Sequence, residues 1–344
     1  MSEFVGTLNK NEIYSAVYNM IIRQDIFTDR LKVKEGLVGE AKKDAGLYGD
    51  TELFYSYDVT YSEEWKGDEE APNLLAIKRP KDPHCQVITI DTFRMVWITL
   101  DYYLSKRAWS DEGIFSEFSA QMSALLAKTK KIHEYTTYNA FIGTTDGTAL
   151  SVTIPTDADD GKLVQVVGEY LANLIENIAD LSRDYNAYGD ATFFDESDVK
   201  IIWNSKYKNK FKFIDLPNIY NNKDLVLDGT KLNSKYFGKV NSGAAAGDGT
   251  SVRYLKETKI SDTEGRFAGE LVPVGKTAEA GNSYTVDDSI ICKVYIKLPP
   301  MLSAFEAGTE FTNARSLTTN RYTMWGYSEP ELLDAYPFIT IRKA

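Results

Sequence analysis

The chain has 344 residues, which at about 150 residues per domain suggests roughly two domains, and its composition (43% hydrophobic, 12% aromatic, 26% charged) is that of a globular chain able to bury a large core. Lys and Arg total 39 against 50 Asp and Glu, a net charge of −11 that argues against sequence-independent nucleic-acid binding, because phosphate neutralisation needs an excess of cations on one face. Two cysteines, Cys85 and Cys292, cannot build a disulfide framework, and no uninterrupted apolar stretch approaches the roughly 20 residues of a membrane helix.

Residues Met1 to Lys10 include Glu3 and no long apolar run, unlike a secretory signal. From Asn11 to Leu31, Ile13, Val17, Met20, Ile21 and Phe27 fall at helical spacing, with Asn11 as N-cap. Gly36, Gly39, Gly46 and Gly49 then punctuate a polar stretch that reads as an extended or loosely ordered arm. Leu53 to Tyr61 is dense in aromatic and β-branched residues and predicts a strand. An acidic tip, Glu63 to Glu70, follows, and strand-like runs recur at Leu74–Ile77, Gln86–Ile90 and Phe93–Leu100. The whole excursion is too thin to bury a core of its own and reads as a hairpin reaching out from a body. Ser110 caps a long helix whose Phe118, Met122, Leu125, Thr129, Ile132 and Thr136 repeat at steps of four and three, ending near Gly143. About 32 residues at 1.5 Å each make a rod of about 48 Å.

A second amphipathic helix is expected from about Gly161 to Asn186, capped by Asp159 or Asp160, with Leu163, Val167, Tyr170, Leu174, Ile178, Leu181 and Tyr185 on its apolar face. Val199 to Trp203 reads as a short strand, and Lys206, Lys208, Lys210 and Lys212 as a basic turn. Beyond Asp215 short strands and turns prevail. In Ile290–Leu298 the residues Ile290, Cys292, Val294, Ile296 and Leu298 alternate onto one face, Asn241 to Thr250 is a small-residue loop, and Tyr336–Ile341 closes the chain as a strand.

Motifs for chemistry fail on inspection. His133-Glu134 opens like a zinc-protease helix, but the second histidine position is Thr137. Gly275-Lys276-Thr277 imitates the end of a phosphate loop, yet Glu270 replaces the first glycine and Pro273 interrupts it. Asp157, Asp159, Asp160 and Gly161 are one residue short for a calcium loop, and Gly168 replaces its glutamate, so helix capping explains these aspartates. His84 beside Cys85 does not make a nucleophile pair, because adjacent side chains seldom converge on one atom. No catalytic, cofactor-binding or metal-binding residue is therefore assigned, and no cofactor is expected.

One stretch is more specific. Thr89-Ile-Asp-Thr-Phe-Arg-Met-Val-Trp-Ile-Thr-Leu-Asp101, running on to Phe118, and Tyr138-Asn-Ala-Phe-Ile-Gly-Thr144 resemble the major capsid proteins of tailed bacteriophages, which have the Hong Kong 97 fold. The resemblance implies an α+β chain with an N-terminal arm (1–50), an extended β-hairpin loop (51–108), a peripheral domain on a long spine helix (109–215), an axial domain (216–330) and a C-terminal return to the periphery (331–344). It also implies a non-enzymatic protein that self-assembles through hexamers and pentamers into an icosahedral shell, with scaffolding and portal proteins as partners. Such a shell encloses DNA without sequence-specific binding or membrane contact, in a virion assembled in host cytoplasm. Some members of the family cross-link a lysine to an asparagine, and no matching motif occurs here. An encapsulin-like shell, or a carboxylate-dependent hydrolase such as a glycosidase, are the alternative readings. The 22 tyrosines and 5 tryptophans favour an interface role, with Phe54, Tyr55, Tyr57 and Tyr61 expected under a neighbouring subunit.

Overall fold

A computed structural model describes residues 35–46, 49–65, 67, 77, 79–101, 112–214, 229–241, 252–253, 259–261, 264–265, 283–313, 315–316 and 318–344. The helix expected over Asn11–Leu31, the Leu74–Ile77 run apart from Ile77, the cap Ser110, the Gly275 turn and most of the 241–250 loop lie outside these residues.

The Gly36–Gly49 stretch is not a loose arm. It forms a short helix α1 (Gly36–Ala41) and a strand β1 (Lys42–Asp44), because Leu37, Val38 and Ala41 all find buried positions. Strands β2 (Thr51–Ser56) and β3 (His84–Thr89) make an antiparallel ribbon, Thr51 opposite Thr89 and Ser56 opposite His84. Strand β4 (Thr92–Asp101), expected inside the same hairpin, belongs elsewhere: it pairs along its whole length with β15 (Thr318–Tyr327). With β14 (Met301–Asn313) these strands form a four-stranded sheet in the order β1-β14-β15-β4.

The long helix α2 (Glu112–Thr144) matches its expected length. Its buried face matches in part: Thr136 of the expected stripe is buried but Leu125 is exposed, and Leu126, Tyr138, Ala140 and Ile142, outside that stripe, are buried. The helix ends at Thr144, one residue past Gly143. A Cβ built there would overlap the Tyr236 carbonyl, so the glycine lets a second backbone pass at van der Waals distance.

Helix α3 (Asp160–Ala179) is capped as expected, the Asp159 carboxylate accepting from the Lys162 amide at 2.8 Å. It stops seven residues before Asn186, leaving Leu181 exposed. Its face of Leu163, Val164, Val167, Leu171, Leu174, Ile175 and Ile178 packs on a five-stranded sheet. That sheet has the order β5-β16-β13-β6-β7, made of β5 (Thr148–Val152), β16 (Phe338–Lys343), β13 (Ile290–Tyr295), β6 (Lys200–Asn204) and β7 (Thr230–Leu232). Short strands β8 (Gly238–Asn241), β9 (Val252–Arg253) and β12 (Ser283–Val286) form a further small sheet, and β10 (Lys259–Ser261) pairs with β11 (Glu264–Gly265).

The basic turn of the sequence reading is instead a helix, α4 (Ser205–Ile214). Tyr207 and Phe211, four residues apart, are buried on one side of it, and Phe211 meets Trp203 edge-on at 5.1 Å. In β13 every residue is buried, and a bulge between Ile290 and Cys292 breaks the expected single face. Ile291, Cys292 and Val294 turn toward α3, while Ile290, Tyr295 and Leu298 join the core around the end of α2. Both main sheets cross the expected boundary at 215/216 and the five-stranded one also that at 330/331, each drawing strands from three of the five segments.

The C-terminal half of α2 therefore touches both sheets. Tyr138, Ala140 and Ile142 share one core with Ile202, Tyr295 and Phe338 of the five-stranded sheet and with Met301, Trp325 and Tyr327 of the other. A charge on this segment should unfold the subunit, costing about 3–5 kcal/mol or more. Ile142→Asp is expected to abolish the native thermal transition and Leu125→Asp to leave it nearly unchanged. Equal losses in the two variants, read by calorimetry, would contradict this placement.

Candidate functional site

The residues weighed for catalysis are structural. His133 is buried on α2, its ring edge-on to Tyr327 at 5.4 Å and its Nδ1 3.2 Å from the Thr137 hydroxyl. Burial, helped by the Arg94 charge, lowers its pKa from 6.5 to about 4. Its neighbour Glu134 takes both hydrogen bonds from the Lys42 ammonium at 3.2 Å, tying α2 to β1. His84 stacks on Tyr188 at 4.4 Å, and the adjacent Cys85 projects from the opposite face of β3. Cys292 is fully buried, and burial pushes its thiol pKa up.

Lys293, between Cys292 and Val294 on β13, is fully buried. Its ammonium donates to the Gly143 carbonyl at 3.2 Å and to Thr145 at 2.7 Å, with Asp146 at 3.8 Å. It supplies donors to carbonyls that the end of α2 leaves unsatisfied, and a positive charge where the helix dipole is negative. Desolvation lowers its pKa to about 8. The periodicity of β13 gave no sign of this role.

Among the described residues the prominent feature is exposed apolar surface. The β2–β3 ribbon has two unlike faces. On one, Phe54 packs against the cluster of Ile88, Ile90, Leu302, Ala304 and Leu333. On the other, Leu53, Tyr55 and Val87 stand in solvent beside Cys85. Past the paired strands Tyr57, Tyr61 and Trp65 are more exposed still, Trp65 at 91%. Of the four aromatics expected under a neighbour, Phe54 is thus covered within the chain and three are not.

A second uncovered row lies on β4. Phe93, Met95 and Trp97 point away from α2, and Trp97 is 62% exposed. Their cross-strand partners are Gly326, Met324 and Tyr322, and Phe311 of β14 is exposed nearby in the same sheet. Side chains of this size at half exposure leave on the order of 100 Å² each in water. Such rows exceed what scattered surface residues account for and mark interaction surfaces. β4 is also an edge strand of its sheet. A long edge beside apolar side chains invites pairing with another chain.

The lysines of α4 are partly neutralised within the chain, Lys206 by Asp288 at 2.7 Å and Lys210 by Asp160 at 3.2 Å. Among the described residues no helix is long and apolar enough to cross a membrane.

No protein-family model and no curated protein sequence matches the chain. Solved structures do. A chain of the capsid structure of Staphylococcus phage Andhra superposes with a TM-score of 0.61 at 11% identity, over 88% of this chain and 83% of that one. A chain from the structure of the head fiber and inner core protein gp22 of native bacteriophage P68 gives 0.61 at 11% identity, over 90% and 85%. The fold is that of the Hong Kong 97-type phage capsid proteins.

The buried histidine makes this capsid fold acid-sensitive in a defined window. The unfolded chain binds a proton at His133 near pH 6.5 and the folded chain only near 4, so stability is full above 6.5 and falls as pH drops toward 4. The loss from this one group should be about 3 kcal/mol. His133→Gln should remove that component from a urea-unfolding series between pH 7 and 4, and an unchanged pH slope in the variant would contradict it.

Proposed function

We propose that the protein is a major capsid protein that self-assembles into the icosahedral shell around a phage genome. The single observation that carries this reading is the capsid fold, which spans about nine-tenths of the chain, joined to aromatic rows that the chain does not cover itself. A monomer has no use for Tyr55, Tyr57, Tyr61, Trp65 and Trp97 in water, whereas a shell subunit covers them with its neighbours.

In this reading the partners are further copies of the chain, in hexamers and pentamers, with scaffolding and portal proteins during assembly in the host cytoplasm. The outer part of the β2–β3 hairpin reaches across neighbours. The role is architectural and needs no enzyme activity. DNA is enclosed without base recognition, consistent with a net charge of −11. The acidic tip faces outward or meets a basic patch on a neighbour.

Negative-stain microscopy of the purified full-length chain tests the reading. Shells, rings or tubes are expected, and a compact monomer at every concentration would overturn it. Deleting residues 63–70 should leave the subunit folded, with its thermal transition in place, and should abolish or alter the particles. If opposite charges at the tip contribute, particle yield falls as salt rises. A yield flat or rising with salt assigns adhesion to the aromatic rows alone.

A further inference from the structure

The core holds the hairpin only at its root. Phe54 and Ile88 reach the cluster beneath, but Tyr55, Tyr57 and Val59 beyond them are exposed, so apolar burial does not set the direction in which the outer hairpin leaves the body. Polar groups do. The Asp58 carboxylate, whose side chain is only 2% exposed, receives the Arg183 guanidinium through both nitrogens at 3.2 Å. It also accepts from the Lys81 ammonium at 2.6 Å and from the Ala191 amide at 3.2 Å. The two cations and the amide hold its pKa well below the usual carboxylate range. Two residues earlier, at the end of β2, Ser56 donates to Asp190 at 2.9 Å, and the Nε2 of its cross-strand partner His84 lies 3.6 Å from the same carboxylate.

The receiving segment is held by hydrogen bonds that do not involve the hairpin. Ser182 and Thr192 exchange backbone hydrogen bonds at 3.0 and 2.9 Å, and the Asn186 amide brackets the backbone of Asp190 at 2.7 and 2.9 Å. Arg183 is fixed by the Gly189 carbonyl at 2.9 Å, and Ala187 is tied to Asp334 at 2.8 Å. Gln86 completes the grip, donating to the Leu332 carbonyl at 2.7 Å and accepting from the Asp334 amide at 3.1 Å. Apart from the Lys81–Asp58 pair, which lies within the hairpin, the hairpin's contacts run to the segments 183–191 and 332–334, over a hundred residues away in sequence.

We propose that this polar cradle, centred on Asp58, Arg183 and Asp190, is a latch that fixes the direction of the hairpin independently of the hydrophobic core. Bidentate ion pairs are directional, so they define an angle as well as a contact. They can also open without exposing apolar core, which makes the outer hairpin a unit that moves while the subunit stays folded. Its consequence for particle geometry rests on the capsid reading: a subunit whose hairpin points differently meets its neighbours at a different angle.

The test uses the full chain with spin labels at Ser62→Cys on the hairpin and Lys162→Cys on the body, in a Cys85→Ser background. Asp58→Asn and Arg183→Gln should each broaden the interlabel distance distribution at least twofold, Arg183→Lys should do so less, and the thermal midpoint of all three should stay within a few degrees of the parent. An unchanged distribution overturns the latch. So does a large drop in the midpoint, which would make these contacts part of the fold's general stability. Particles provide a separate arm, with altered diameters or open tubes expected from Asp58→Asn. If the parent chain forms no particles, the capsid reading fails and the distance measurement still decides the latch. If the parent assembles and a broadened variant gives identical particles, the latch stands and its geometric consequence is overturned.

Discussion

The structure depends on the burial of the last three turns of α2 between two sheets. That segment carries Tyr138, Ala140 and Ile142 into one continuous core with strands of both sheets, and the Tyr138 hydroxyl donates to the Pro299 carbonyl at 2.9 Å. A helix end inside a core exposes carbonyls with no partner, each costing about 1–3 kcal/mol. Lys293 answers this by placing its ammonium on Gly143 and Thr145. Arg342, paired with both Asp146 and Asp287, surrounds the site with balanced charge. The lysine is tolerated inside the sheet because the helix end needs it, and the helix end is tolerated inside the core because the lysine is there.

From that fixed centre the chain becomes progressively less closed. α3 buries its stripe on one face of the five-stranded sheet, and the end of α2 covers the other. The four-stranded sheet has α2 on one face only, and its β4 edge carries Phe93, Met95 and Trp97 into solvent. The β2–β3 ribbon is thinner again, held by a small apolar cluster at its root and by polar contacts beyond it. This gradient from closed body to open edges suits the shell subunit proposed above. Folding is completed within the chain, while association draws on surface that folding leaves unused.

How much of this was legible in the sequence follows from where each signal comes from. α3 was readable because its partner is a plain apolar sheet face, so its burial follows the 3.6-residue period and Asp159 caps it locally. The length of α2 was readable for the same reason. Its face was readable only in part, since a helix between two sheets buries Glu134, His133 and Asn139 alongside apolar residues, and Lys42 neutralises Glu134 from 92 positions away. In α4 the lysines drew attention from Tyr207 and Phe211, whose four-residue spacing was the truer signal. The aromatic alternation of the hairpin was visible, but its latch was not, because Asp58 and Arg183 are 125 residues apart and only the tertiary fold brings them together.

The central claim is that the uncovered aromatic rows are assembly surfaces between copies of this chain. Oxidative footprinting of unassembled subunits against purified particles tests it most directly. Tyr55 and Trp65 on the hairpin and Trp97 on β4 are each more than half exposed in the subunit. On assembly their oxidation should fall several-fold, while Phe193, exposed on the body at 71%, serves as a reference outside both rows. Equal oxidation of Tyr55, Trp65 and Trp97 in subunit and particle would contradict the account.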